Sequence, residues 1–106
     1  MTDAVQVSTT FDSEQAAQSL AATLVNERLA ACVQVVGPIR STYRWEGRVE
    51  TATEWLCLAK TTAGVLDRLL QRIREIHSYA QPEILATPVV AGDAGYLAWV
   101  RSEVLS

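Results

Sequence analysis

The sequence has no apolar run close to the ~20 residues that a membrane-spanning helix requires. Residues 1–4 also lack the basic and apolar segments of a secretory signal peptide. Both absences predict a cytoplasmic protein without a membrane partner. Glycine and proline are scarce, with 5 and 3 residues in a chain of 106, so no segment reads as a flexible linker. We therefore expect one domain over residues 1–106.

An excess of positive charge is absent too. Nine Lys and Arg residues face 12 Asp and Glu residues, which gives a net charge of −3. A nucleic-acid phosphate backbone is normally bound by clustered basic residues. The charge balance therefore predicts no nucleic-acid partner.

The chain has only two cysteines and one histidine. Cys32 and Cys57 lie inside apolar runs and form no C-x-x-C pattern, so we expect reduced, buried thiols. A disulfide or a thiolate metal site is not indicated.

Residues 41–60 predict one long β-hairpin with an aromatic tip. Glu46 and Gly47 supply the turn, because glycine reaches positive φ at little cost. Tyr43, Trp45 and Val49 would then lie on a protruding edge, where apolar side chains indicate a contact with a partner chain. The hairpin predicts self-association.

The rest of the chain alternates strand and helix patterns. A first strand begins at Val5. Asp12 is the predicted N-cap of a helix that ends near Leu29. Residues 31–36 predict a second strand that bends at residues 37–38 and continues into the hairpin, and residues 55–59 predict a central strand. Thr62 is the predicted cap of a second amphipathic helix.

After that helix, residues 84–90 predict a fourth strand. Pro88 cannot donate a hydrogen bond to a sheet, so this strand should lie at an edge or contain a bulge. Asp93 is the predicted cap of a last helix. The order β-α-β-β-α-β-α predicts an α+β, ferredoxin-like split β-α-β fold with both main helices on one face of the sheet. The other face, which carries either Trp55, Cys57 and Ala59 or Leu56 and Leu58, would need a second sheet against it.

Five segments carry a resemblance to a known family: residues 27–33 (ERLAACV), 43–50 (YRWEGRVE), 60–62 (KTT), 82–84 (PEI) and 96–99 (YLAW). Together they closely resemble the CutA family of divalent-cation tolerance proteins, over residues 5–104. The resemblance implies a homotrimer whose long hairpins pair across subunits, with an architecture similar to that of the PII signalling proteins. It also implies a cytoplasmic role in copper tolerance, with copper or another divalent ion bound.

The metal site that the resemblance implies combines a cysteine at the end of the first strand with a histidine pair at the end of the second helix. In this sequence Ser8 stands at the cysteine position, and Ile76 precedes the sole histidine, His77. His77 is therefore the one candidate metal ligand. The alternative is a partly exposed histidine that the dipole of the helix C-terminus favours.

A second candidate site is a ligand-binding cleft. Lys60, Tyr79 and Glu83 flank the ends of the predicted elements and would meet Trp45 or Trp99 of a neighbouring subunit. The alternative is a Lys60–Glu83 ion pair that only fixes the loop. Tyr43, Trp45 and Val49 are the predicted trimer interface.

No arrangement of a nucleophile, a base and an orienting acid can be argued from the sequence, so we expect no enzyme. Two functions remain open. The first is a trimeric protein for copper or another divalent ion, and the second is a PII-like trimeric module that recognises a small ligand or a partner protein without metal.

Overall fold

The computed structural model of the protein describes residues 2–105. Its elements, in chain order, are β1 (Ala4–Phe11), α1 (Glu14–Asn26), β2 (Cys32–Trp45), β3 (Arg48–Thr62), a short 3-10 turn (Ala63–Val65), α2 (Leu66–Ile76), β4 (Ile84–Pro88) and α3 (Ala94–Glu103). The α+β prediction is confirmed.

The four strands form one antiparallel sheet in the order β2-β3-β1-β4. Strand β3 therefore lies between β1 and β2, as a split β-α-β arrangement predicts. The predicted central position of residues 55–59 is confirmed. Strand β4 lies at an edge, where the missing amide hydrogen of Pro88 disturbs no inner ladder.

Helices α1 and α2 cover one face of the sheet. Their buried side chains Leu20, Leu24, Leu69 and Ile73 pack against alternate residues of β1 and β3 in a single core. Cys57 belongs to that core, and burial raises the pKa of its thiol to about 11. It is therefore an unreactive, small apolar side chain, and both cysteines are free thiols.

The other face of the sheet carries Leu56 and Leu58, because Cys57 and Ala59 point into the core. Val36 and Leu85 lie on the same face and are 46% and 58% exposed. Helix α3 packs at the end of the sheet where β1 begins, through Val100 and Val104 and the Arg101–Asp3 ion pair.

Strands β2 and β3 continue beyond the end of β1. Phe11, the last residue of β1, pairs with Trp55, whereas residues 39–54 pair only with each other. We call residues 39–54 the ribbon. Glu46 and Gly47 at its tip have φ values of 50° and 80°, as a two-residue type I′ turn requires.

The predicted bend lies at the base of the ribbon. The register between β2 and β3 shifts between Val36 and Ile39, on either side of Gly37 and Pro38. A Cβ atom on Gly37 would lie 2.5 Å from Cδ1 of Trp55, so only glycine allows the strand to pass this ring.

Several predicted boundaries are wrong. The N-cap of α1 is Ser13, whose Oγ accepts a hydrogen bond from the Ala16 amide, and Asp12 does not cap. Helix α1 ends at Asn26 rather than near Leu29, and Arg28 has a φ of 60°. Thr62 makes no capping bond, because a 3-10 turn separates it from α2. Strand β4 ends at Pro88. The Asp93 cap of α3 is confirmed by its bond from the Tyr96 amide.

Candidate functional site

A large, open cavity lies where the ribbon leaves the sheet. Its volume is about 810 Å³, within the usual range for small-molecule sites. The end of β1, one side of the ribbon and residues 79–83 form its walls. We call it the cleft, and its aromatic and acidic lining residues are Asp12, Tyr43, Trp45, Glu54, Tyr79 and Glu83.

A hydrogen bond joins two walls of the cleft. The Tyr79 hydroxyl donates to Oε2 of Glu54 at 2.7 Å. Glu54 is only 8% exposed although it carries a carboxylate. Burial and the neighbouring Glu54 both raise the pKa of Tyr79, so this phenol stays protonated and keeps donating. The bond fixes the loop after α2 against β3.

His77 is the C-cap of α2, and its ring centroid lies 4.8 Å from that of Tyr79. Its Nδ1 accepts a hydrogen bond from the Tyr79 amide at 3.1 Å. Its Nε2 therefore carries the proton of the neutral ring and donates to the Thr10 carbonyl at 2.7 Å. The ring also stacks on Phe11, with centroids 4.1 Å apart.

Burial lowers the pKa of His77 and outweighs the opposite effects of the Thr10 carbonyl, Asp12 and Glu54. The predicted position at the helix end is confirmed. The surroundings of His77 favour the neutral ring. The expected stabilisation of a protonated ring by the helix dipole is therefore not supported. Both ring nitrogens are used within the chain, so a metal ion would have to displace one of the two bonds.

No group of three or more His, Cys, Asp or Glu side chains within residues 2–105 is placed to hold a metal ion. Asp12, Glu54 and Glu83 line the same cleft but do not converge on one point. His77 as a copper ligand stays a prediction.

The structure brings only part of the predicted cleft together in one chain. Trp45, Tyr79 and Glu83 line it. Lys60 lies six residues along β3 from Glu54, about 20 Å away, where its Nζ donates to Oε1 of Gln34 at 2.8 Å. A Lys60–Glu83 ion pair is not among the contacts of residues 2–105.

Trp99 is also outside the cleft of its own chain. It lies on α3 with its ring 5.6 Å from that of Tyr96. Whether Trp99 or Lys60 meets the cleft of a neighbouring copy stays a prediction. The three predicted interface residues Tyr43, Trp45 and Val49 are 44%, 48% and 65% exposed on the ribbon.

Two lining residues, Glu54 and Asp12, are not among the predicted cleft residues. The sequence patterns predict Asp12 as a helix cap and assign no role to Glu54. One signal was present, because Glu54 directly precedes the apolar run 55–59 and therefore lies where the strand enters the core.

Fold and site together define an α+β protein with a four-stranded antiparallel sheet, two helices on one face, and a cleft below a projecting β-ribbon. A family model described as "CutA1 divalent ion tolerance protein" matches residues 5–103. The chain belongs to this family, as its motifs predicted.

Similar proteins from distant organisms support this family assignment. The chain is 45% identical over 92 residues to the "Divalent-cation tolerance protein CutA" of Thermus thermophilus, covering 87% of this chain and 89% of that one. It is 38% identical to the human "Protein CutA", covering 87% of this chain but 51% of the human one, so it spans about half of that relative. The first name describes divalent-cation tolerance, and neither name states a reaction.

Solved structures of relatives share the fold. The Thermus thermophilus divalent cation tolerance protein superposes with a TM-score of 0.92 at 42% identity, over 95% of this chain and 98% of that chain. CutA from Synechococcus elongatus gives a TM-score of 0.93 at 39% identity, over 99% and 93%.

Proposed function

We propose that this protein is a binding protein that holds a small ligand in the cleft. The observation that carries the proposal is the cavity of about 810 Å³ in which the partly buried Glu54–Tyr79 hydrogen bond joins two walls. Its walls combine large aromatic faces with a few fixed polar groups, as small-molecule sites do. This corresponds to the PII-like alternative of the sequence analysis.

We also propose that the working form is a homotrimer. The ribbon supports this, because a two-stranded hairpin is marginally stable alone and this one carries exposed Tyr43, Trp45 and Val49. Strand β2 is also a free edge in one chain, so a second copy can pair with it. Native mass spectrometry tests this, and a monomer at micromolar concentration would contradict it.

A fragment panel tests the proposed cleft. Protein labelled with ¹⁵N is titrated with small cationic, neutral and anionic fragments, and amide shifts are mapped onto the chain. We expect at least one fragment to shift Tyr43, Glu54 and Tyr79 together with residues 80–83. If no fragment of any charge shifts these residues, the cleft is not a ligand site.

A second candidate is a role in tolerance through direct binding of copper or another divalent ion. The family description favours it, as does the position of His77 beside Asp12 and Glu54, which both act on its pKa. Cu(II) heads the affinity order of divalent ions for such ligands. Native mass spectrometry with Cu(II) would give stoichiometric uptake that His77→Ala abolishes. Equal uptake by the variant would exclude His77 as the ligand.

We propose the cytoplasm as the location of this chain. Both cysteines are free thiols in the structure, which suits a reducing compartment. The helices of residues 2–105 include none that could cross a bilayer, since the longest has 13 residues. Fractionation of cells that express the untagged protein tests the location, and recovery in the periplasm would contradict it.

A further inference from the structure

Helix α3 packs in a small hydrophobic cluster of its own. Val100 and Val104 supply the apolar side chains on the α3 side. They pack against Ala31 and Val65 in a cluster that is separate from the main core, which lies between the sheet and helices α1 and α2. Leu105 is partly buried and touches both clusters. Helix α3 can therefore lose its packing while the main core stays closed.

The rest of α3 contributes little to its own docking. Of its ten residues, Val100 is buried and Leu97 is half-buried, whereas the others are exposed. A helix of this length is at best marginally stable in water without tertiary packing. Its stability therefore depends on the few contacts that hold it to the rest of the chain.

Arg28 makes three of these contacts from the connection between α1 and β2. Its Nε donates to the Glu103 carbonyl and its Nη2 to the Ser102 carbonyl, both at 3.0 Å. These carbonyls lie in the last turn of α3, where the helix itself supplies no donor. The Arg28 carbonyl also accepts a hydrogen bond from the Leu105 amide at 2.9 Å. Side chain and backbone of one residue thus hold the C-terminal end of α3.

Arg28 holds this position at a conformational cost. Its φ is 60°, in the left-handed region that glycine adopts far more readily than arginine. This backbone conformation ends α1, because it lets the Leu29 and Ala30 amides donate back to the Leu24 carbonyl. The bonds of the guanidinium group to α3 offset part of the cost. They also tie the end of α1 to the docking of α3.

We infer that α3 and residues 104–105 form a strap that opens as one unit while the sheet, α1 and α2 stay folded, and that Arg28 is its latch. Segments with few buried apolar contacts open at a lower free energy than the whole domain. Opening of the strap uncovers Ala31 and Val65 beside the start of β2, the free edge strand of the sheet. The strap therefore controls access to that end of the edge strand.

Native-state hydrogen exchange of the intact protein measures this opening. Amide protection is followed in α3 and in the paired strands β1 and β3. We expect the α3 amides to agree with one another within a few-fold and to lie at least a hundredfold below the strand amides. Low concentrations of urea should reduce the protection of α3 with a smaller slope than that of the strands, because opening the strap exposes less surface.

A substitution in the main core separates the two units. Leu20 belongs to the main core and not to the α3 cluster. Leu20→Ala should therefore lower the protection of the β1 and β3 amides at least tenfold, because these amides exchange through global unfolding. The protection of the α3 amides should stay within twofold of the parent, because opening the strap leaves the packing of Leu20 unchanged.

A second substitution tests the latch. Arg28→Gln keeps a long, unbranched side chain at the same backbone position and removes the guanidinium group, so it should lower the protection of the α3 amides at least fivefold. Arg101→Gln is the matched control. It removes the same charge from α3 and breaks the exposed ion pair with Asp3, and such pairs stabilise little. The α3 protection in this control should stay within twofold of the parent.

Three results would overturn the inference. Equal protection of α3 and the strands, or an equal fall of both in Leu20→Ala, would show that α3 opens only with the whole domain. An effect of Arg28→Gln no larger than that of Arg101→Gln would show that Arg28 is not the latch. Protection of α3 that rises with protein concentration would show that a second copy, and not Arg28, holds the helix in place.

Discussion

Strand β3 passes through two regions that differ in how they are stabilised. Residues 55–62 lie between β1 and β2 under two helices, and alternate side chains there are buried. Residues 48–54 belong to the ribbon and, apart from Glu54, are at most half-buried. The first region is stabilised by burial within one chain, whereas the second extends beyond β1 and its strands pair only with each other, an arrangement that is marginally stable alone. The cleft lies at the junction between them.

The largest expected effect on stability comes from a substitution in the packed region. Leu20 is fully buried between α1 and the sheet, so Leu20→Ala should lower the free energy of unfolding by about 3 kcal/mol through lost transfer energy and a cavity. Chemical denaturation measures it. Val25→Ala is the control, because Val25 lies on the same helix but is 41% exposed, and it should change stability by less than about 0.5 kcal/mol. Equal losses would mean that α1 is not docked as described.

The second largest effect comes from a substitution on the ribbon that leaves the packed region intact. Val49 is 65% exposed and sits opposite Arg44, on the ribbon face away from the cleft. Val49→Asp should weaken the proposed trimer by about 2 kcal/mol, as expected for a charge placed at an interface anchor, and shift the mass toward monomer. Val90→Asp is the matched control, since Val90 is 67% exposed outside the ribbon. A trimer that resists Val49→Asp but not Val90→Asp would move the interface elsewhere.

A smaller effect distinguishes the observed helix cap from the predicted one. Ser13 accepts the Ala16 amide, so Ser13→Ala should cost about 1 kcal/mol of unfolding free energy. Asp12→Ala should cost less, because Asp12 makes no capping bond to α1. Thermal unfolding of both variants measures the two losses of stability. A larger loss for Asp12→Ala than for Ser13→Ala would support Asp12 as the cap, as the sequence predicts.

The two regions also differ in how far the sequence predicted them. Local signals specify the turn at Glu46 and Gly47, the buried stripe of α2 and the edge position of Pro88, because each depends on backbone preference or on spacing. Serine and aspartate are both favourable N-cap residues. The choice between Ser13 and Asp12 therefore depends on the backbone conformation, which the local sequence does not show.

The cleft is formed by contacts between residues that are far apart in the sequence, so local sequence patterns did not predict it. Glu54 and Tyr79 are 25 positions apart, and nothing near Glu54 indicates that a phenol will bury it. Lys60 and Glu83 both flank the end of an element, but the register places Lys60 opposite Gln6, near the start of β1, whereas Glu83 precedes Ile84, which pairs with Thr9 near the end of β1. Chain position alone could not tell which strand end faces the 79–83 loop.

The smallest effect probes the junction itself through the ionisation of His77. Burial lowers its folded pKa below the ordinary value of 6.5, so between these two values the unfolded chain binds more protons. Stability therefore rises with pH across that window and falls as pH drops from 6.5 toward the folded pKa. His77 is the only histidine, so one imidazole titration in the NMR spectrum should give a midpoint below 6.5 and the Nε2-protonated tautomer. His77→Gln should flatten the pH dependence of stability in this window. A midpoint at or above 6.5 would mean that the helix end, Asp12 and Glu54 outweigh burial, and that His77 is charged beside the cleft.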